Sequence, residues 1–351
     1  MSLAFAWGGP PLRGLLKSAP EDFIVEETLF FSADGLGEHD LLRIEKRGAN
    51  TEWVARGLAR FAKVPQVAVG FAGLKDRHAV TRQHFTVQLP GRQIDWSALA
   101  LPGVTLLSVA RHSRKLKRGA LSSNGFELVL REIQGDQDRA QALLQQLKNE
   151  GAPNYFGDQR FGHQGGNLDL ARQLFAGEHL ERADRSFALS AARSAIFNAV
   201  LDRRVREETW NRIIDGDLCN LAGRRAWFGP VEVDATLQQR CRTGEIHPTG
   251  PMWGVPAAPT TGACLQLEQQ CADERADLAA GLAAQQIEAE RRPLRAIPQA
   301  LEWDWQLASP TDADSRALRL RFALPAGAYA TALIRELIDV SGAFPAGADA
   351  G

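Results

Sequence analysis

Apolar and polar positions alternate with a period of two towards both ends of this chain and with a helical period through its middle. Phe23–Glu27 and Asp40–Glu45 read as strands parted by a Gly-rich turn, because alternation puts every second side chain on one face of a sheet. Val54, Leu58 and Phe61 then share one side of a helix that Thr51 is placed to cap. Val67–Phe71 and His84–Leu89 predict two strands joined by the polar loop AGLKDRHAVTRQ. Val104–Ala110 and Gly125–Glu132 predict two more, joined by RHSRKLKRGALSSN. Leu143, Leu144 and Leu147 stripe a helix over Asp138–Asn149. After Gly151 the pattern is helical, with helices over Phe187–Arg206 and Ala272–Arg291. Strand alternation returns after Ile297, where Leu318, Leu320 and Phe322 are interleaved with Arg319 and Arg321, and a helix over Tyr329–Val340 follows. This order predicts an α+β protein. One sheet domain takes residues 1–150 and 297–351 from the two ends, and a second domain, 151–296, is inserted between them. The tail AFPAGADAG reads as a mobile end.

The length of 351 residues agrees with two domains at about 100–200 residues each. With 44% hydrophobic and 24% charged residues there is apolar material enough for both cores. The opening MSLAFAWGGPPLRG has no basic region before its apolar residues and no small-residue cleavage site, so a cytoplasmic location is expected. The apolar stretch from Phe322 to Ile334 is shorter than the roughly 20 residues of a membrane span and contains Pro325 and Gly327. Cys219, Cys241, Cys264 and Cys271 form no CxxC pair and have no histidine at ligand spacing, so free buried thiols are expected and no metal. Net charge is −1, but that average hides a gradient. Thr51–Arg131 carries thirteen Lys/Arg against four acids, a local +9, which suits contact with a polyanion.

The loop FAGLKDRHAVTRQHF concentrates the chemistry. Asp76 lies between Lys75 and Arg77, with His78 and Arg82 close by, and neighbouring cations favour its carboxylate form. A loop between two strands presents such a side chain from a rigid support, and a carboxylate is a nucleophile available for covalent catalysis. By composition alone, a solvated charged turn would read the same way.

GLKDRHAVTRQ closely resembles the signature loop of the TruD family of tRNA pseudouridine synthases. The resemblance continues in order through GLLKSAPEDFIVEE, GEHDLLRIEKRGANT, ARHSRKLKRGALSSNGFELVLRE, GAPNYFGDQRFG, LSAARSAIFNAVL and LPAGAYATALIREL, and so spans nearly the whole chain. It implies a pseudouridine synthase-type catalytic domain with a mixed, largely antiparallel sheet, and an inserted α/β domain opening at Gly151. It further implies isomerisation of uridine to pseudouridine in tRNA, with uridine 13 of the D arm as the usual target, and no cofactor. Asp76 matches the catalytic aspartate. Phe23, Asn124 and Tyr329 match positions lining the uridine pocket, where a ring stacks on a flipped base and an amide reads its polar edge. Lys17 matches a family lysine and is a partner for the Asp76 carboxylate. Phe126 matches a further family Phe, but it shares a strand face with Leu128 and Leu130 and is expected in the core.

One position departs from the family. The best-known members carry Phe where this chain has Tyr329, whose hydroxyl needs a partner if buried. The basic run Arg111, Arg114, Lys115, Lys117 and Arg118 is expected to hold RNA phosphates, which adds affinity with little sequence information. A monomer without an obligatory protein partner is expected. Two other readings of these residues are a binder of RNA without activity and a hydrolase using Asp76. A pure binder has no need of the carboxylate, and His78 two residues on is a weak partner for hydrolysis.

Overall fold

The computed structural model describes residues 3–224, 226–309 and 312–340; the tail 343–351 lies outside them. Described residues fall into two compact units. One takes Leu12–Asp136 and Pro298–Gly327, the other residues 3–11, Gln137–Ile297 and Ala328–Ile338.

The first unit is built on a sheet of strands β1 (Leu12–Leu16), β2 (Phe23–Leu29), β3 (His39–Arg47), β4 (Val69–Phe71), β5 (Val80–Gln88), β6 (Val104–His112), β7 (Leu121–Gly135), β8 (Gln299–Ser309) and β9 (Asp312–Pro325). The order is β8-β9-β7-β2-β5-β3-β6, with β1 on the far half of β7 and β4 on β5. Within this order β2 and β5 run parallel, Ile24 opposite Val80, and the other pairs are antiparallel. The late strand β9 lies against β7, with Phe322 opposite Phe126 and Leu318 opposite Leu130.

Helix α1 (Thr51–Ala62) covers one face of the sheet, packing Val54 and Leu58 on Leu42, Ile44, Phe85 and Val87. Its N-cap is Asn50 rather than Thr51. The Thr51 hydroxyl is engaged elsewhere, donating to Gln83 Oε1 at 2.9 Å and accepting the backbone N–H of Lys75 at 3.0 Å. Strand β5 also starts four residues earlier than its pattern suggests. Thr81 and Gln83 look like loop residues, yet both are fully buried and their backbones pair with Lys46 and Ile44 of β3.

The second unit contains α2 (Gln137–Glu150), α3 (Gly166–Phe175), α4 (Arg182–Arg206), α5 (Ala235–Arg242), α6 (Gly262–Asp273), α7 (Ala276–Ala284) and α8 (Ala330–Leu337). The single helix predicted over Ala272–Arg291 is instead the end of α6, α7 and a strand, Glu290–Pro293, with a non-helical break at Arg275 (φ −132°, ψ 42°). The break lets one stretch serve two cores. Leu267 and Cys271 pack on Ala199 and Val200, while Leu278 and Leu282 pack with Ala171, Leu174 and Ile196. The two ends of the stretch 151–296 meet in a short ladder, Ala152–Pro153 against Arg295–Ala296. Gly151 opens it at φ +78°, where a Cβ would stand 2.3 Å from the Ala296 carbonyl oxygen.

The bounds of these units differ from 1–150 with 297–351 and 151–296. Residues 3–11, α2 and α8 pack in the second unit. Leu3, Ala4, Ala6 and Trp7 join the cluster of Tyr155, Phe156 and Phe197. The fully buried Glu336 of α8 accepts the N–H groups of Ala6 and Trp7, and Arg335 donates to the carbonyls of Leu3 and Ala4. Sequence distance conceals such pairings.

All four cysteines are buried and unpaired. Arg204 and Asp217, 1% and 0% exposed, form a bidentate pair at 2.9 and 3.0 Å, and Arg204 also donates to the carbonyls of Thr209 and Arg212. Arg204→Met leaves a buried carboxylate without its cation. It is expected to destabilise the chain by about 3 kcal/mol in urea unfolding, and Arg204→Met with Asp217→Leu should recover part of that loss. A change below about 1 kcal/mol for the single variant would mean that the pair contributes little.

Candidate active site

The parallel register of β2 and β5 brings the start of β5, the start of β2, the end of β3 and the end of β1 to one edge of the sheet, and residues 72–79 cross that edge. Three anchors fix this loop from below. Lys46 lies on the same strand face as Leu42 and Ile44, fully buried. Its ammonium donates to the carbonyls of Ala49 at 2.8 Å, Asp76 at 2.9 Å and Lys75 at 3.3 Å, which uses all three of its protons. Burial pushes Lys46 down to about 8, the nearby Asp76 carboxylate opposing that fall and Lys75 adding to it. Thr51 holds the Lys75 N–H, and Gln83 Nε2 donates to the Gly73 carbonyl at 3.4 Å.

Held from below, the loop presents Asp76 half-buried, its side chain 24% exposed. Lys17 Nζ donates to Asp76 Oδ2, and the His78 N–H donates to Oδ1 at 2.8 Å. Burial by itself would raise the Asp76 carboxyl. The charge and hydrogen bond of Lys17, with the His78 N–H, outweigh burial and hold it below the usual carboxylate value. Lys17 reaches it from the residue after β1, in the left-handed region at φ +62°, where a side chain is uncommon. Its ammonium also lies 4.3 Å from the centre of the Phe23 ring. Together the ion pair and the ring contact hold a backbone conformation that costs about 1 kcal/mol or more.

Phe23 is buried at the start of β2 and meets Phe126 edge-on at 6.2 Å; Phe126 in turn stacks on Phe322 at 5.3 Å. Leu128 and Leu130 on the same strand are fully buried, whereas Phe126 is only half-buried, so the apolar face thins towards its ring. Lys75 Nζ donates to Asn124 Oδ1 at 2.6 Å and stands 3.2 Å from Glu27 Oε2. Glu27 is fully buried and accepts the His84 N–H at 3.1 Å. Burial raises its carboxyl, but His84 and the Lys75 charge prevail and hold it below the usual value.

Asp76, Lys17, Phe23 and Asn124 therefore gather around one loop of the first unit. Tyr329 belongs to the second unit, as the N-cap residue of α8. Its hydroxyl accepts from Arg160, which also donates to Ser190 Oγ at 2.8 Å, and its ring packs on Phe156 at 5.9 Å with Arg292 above both rings. Tyr329 is half-buried, and the partner of its hydroxyl is thus an arginine.

The basic run divides by role. Arg111 pairs with Asp40 at 2.8 Å and donates to the Gly37 carbonyl, which commits it to the fold. Lys115 donates to the Val67 carbonyl. Arg118 lies over Phe71, 4.1 Å from the ring centre, half-exposed beside Glu52. Arg114 and Lys117 are exposed and have no ion-pair partner among the described residues. The segment is drawn against the loop: the Gly119 N–H donates to the Ala72 carbonyl at 2.7 Å, and a Cβ on Gly70 would stand 2.4 Å from the Leu116 carbonyl oxygen.

Sequence reasoning missed Glu27, Lys46, Thr51, Gln83, Arg160 and Arg292. For the first two a signal existed. Each occupies the apolar phase of its strand, Phe23-Val25-Glu27 and Leu42-Ile44-Lys46, where an unexplained charge implies a buried partner.

The sheet of the first unit is thus mixed and largely antiparallel, with this loop at its edge. The family model described as tRNA pseudouridine synthase D (TruD) matches residues 2–183 and 175–337. The tRNA pseudouridine synthase D of Hydrogenovibrio crunogenus is 43% identical over 340 residues, covering 96% of each chain. The crystal structure of a TruD protein from Methanosarcina mazei superimposes with a TM-score of 0.72 at 20% identity, covering 95% of both chains. The chain belongs to the TruD family. Among its described residues no helix is long and apolar enough to cross a membrane.

Proposed function

We propose that this chain isomerises uridine to pseudouridine in tRNA, at uridine 13 of the D arm, with Asp76 as the catalytic carboxylate. The observation that carries the proposal is the Asp76 side chain itself. It is half-buried, held ionised by Lys17 and the His78 N–H, and set on a loop that three buried anchors immobilise. Such a carboxylate is prepared to act as nucleophile or base without reorganising. The N1–C1′ bond breaks, the detached base turns, C5 bonds to C1′, the proton on C5 is lost and N1 takes one up. Atoms and electrons then balance within the nucleotide, so no cofactor is called for.

Phe23 and Asn124 are assigned to the flipped base, the ring by stacking and the amide by hydrogen bonding. Tyr329 keeps the role that the family resemblance implies, its hydroxyl bound by Arg160 and its ring face retained. Incubating the purified chain with a tRNA transcript is expected to convert one uridine to an isobaric nucleoside with a carbon–carbon glycosidic link. Base release, or unaltered RNA, would overturn the proposal.

For the phosphates, Arg114, Lys117 and Arg118 are assigned, and Arg111 and Lys115 only in so far as their protein contacts leave them free. Changing Arg114, Lys117 and Arg118 together to Ala should weaken tRNA binding and reduce the salt slope by roughly 0.7–0.9 for each phosphate that is no longer neutralised. A filter-binding titration from 50 to 200 mM salt measures this. Unchanged affinity and slope would return the run to ordinary solvated surface.

A further inference from the structure

We infer that Glu27 and Lys75 are positioning residues that fix the Asn124 amide with its nitrogen towards the base, so that the site accepts a carbonyl there and rejects an amine. The inference rests on the proposal that this is a uridine site, and it extends that proposal to base selection.

The orientation follows from donor chemistry. An ammonium has three donors and no acceptor, so the amide atom that Lys75 touches at 2.6 Å must be the oxygen. Lys75 in turn is placed by Glu27, whose carboxylate is fully buried 3.2 Å from Nζ and cannot move away, since the His84 N–H holds its other oxygen. With Oδ1 occupied, Asn124 presents Nδ2, and among the described residues no group accepts from that nitrogen. A fixed double donor is therefore open to a ligand.

Uracil carries carbonyls at C2 and C4, and cytosine carries an amine in place of the second. Facing C4, the amide nitrogen meets an acceptor in uracil and a donor in cytosine. A site with an immobile donor rejects the wrong base strongly, because two donors are then left facing one another without water. The same arrangement suits the reaction. Turning the detached uracil about its N3–C6 axis exchanges N1 with C5 and one carbonyl with the other, so the donor faces a carbonyl before and after the turn.

The test uses the full chain and two tRNA transcripts, one with uridine and one with cytidine at the modified position. Wild-type protein is first assayed for pseudouridine. Absence of product would overturn the functional proposal and this inference with it. Affinities are then measured in an Asp76→Asn background, where the RNA is bound and not converted. Uridine is expected to be preferred by tenfold or more. Lys75→Met frees the amide to turn and should bring the preference to about twofold. Lys75→Arg, also a pure donor, should retain most of it, and Asn124→Asp should reverse it. Glu27→Gln should give an intermediate ratio and serves if Lys75→Met does not fold. Product from the wild type together with an unchanged preference in Lys75→Met or Glu27→Gln would overturn this inference alone.

Discussion

Asp76→Asn is expected to lower pseudouridine formation by roughly 10⁴-fold, ~5.5 kcal/mol in barrier, in a chain that still folds and binds tRNA. The substitution is nearly isosteric. The amide oxygen still accepts from the His78 N–H, the amide nitrogen takes the place of the oxygen that Lys17 held, and the anchors of the loop use backbone groups, among them the carbonyl of Asp76 itself, which the side-chain change leaves in place. What disappears is the negative charge that makes the group a nucleophile or a base. Affinity for tRNA should hold or rise slightly, because one anion near the phosphates is removed. Melting temperature, filter binding and a single-turnover pseudouridine assay on the same preparation separate these effects. Activity within about tenfold of wild type, ~1.4 kcal/mol, would mean that another group carries the chemistry.

How much of this site is legible in the sequence depends on how local each signal is. The loop around Asp76 is legible because its charges are contiguous and lie between two strands. Lys17 and Phe23 are legible only through the family resemblance, since nothing in their spacing says that the end of β1 meets the loop before β5. Thr51 reads wrongly as a helix cap. Capping and loop anchoring draw on the same hydroxyl, and only the position of β5 decides between them. The start of β5 is hidden because Thr81 and Gln83 are polar yet buried, and pattern counting places such residues in loops. Tyr329 and Arg160 are 169 residues apart, and no local rule pairs them. The break at Arg275 is likewise set by two cores competing for one helix. The charges at Glu27 and Lys46 differ, being visible misfits in apolar phases. A charge in such a phase is costly to bury without a partner, so the misfit alone marks a buried polar network.

Lys17→Met should lower kcat/KM by about 10³-fold at pH 6, narrowing to about 10²-fold at pH 9, while the wild type stays level over that range. In the native chain burial favours the neutral Asp76 carboxyl, and the Lys17 charge and hydrogen bond reverse that preference, keeping it below its usual 3.8. A carboxyl depressed in the folded state adds stability above its unfolded value and loses it as pH falls through the folded one. Without Lys17 only the His78 N–H and the weaker charge interactions of His78 and Lys46 oppose burial. The folded value then rises, an ionised Asp76 weakens the fold at neutral pH, and the acid limb of the rate profile moves upward. Met replaces the ammonium over the Phe23 ring with an apolar chain of similar length that still packs on it, so loss of packing is not the cause. Raising the pH restores the carboxylate but not the cation that positions it, which is why recovery at pH 9 is partial. Lys17→Arg supplies a cation and should keep the acid limb near its native place. A purely structural role for Lys17 makes a different prediction: equal loss at every pH, and no rescue by arginine.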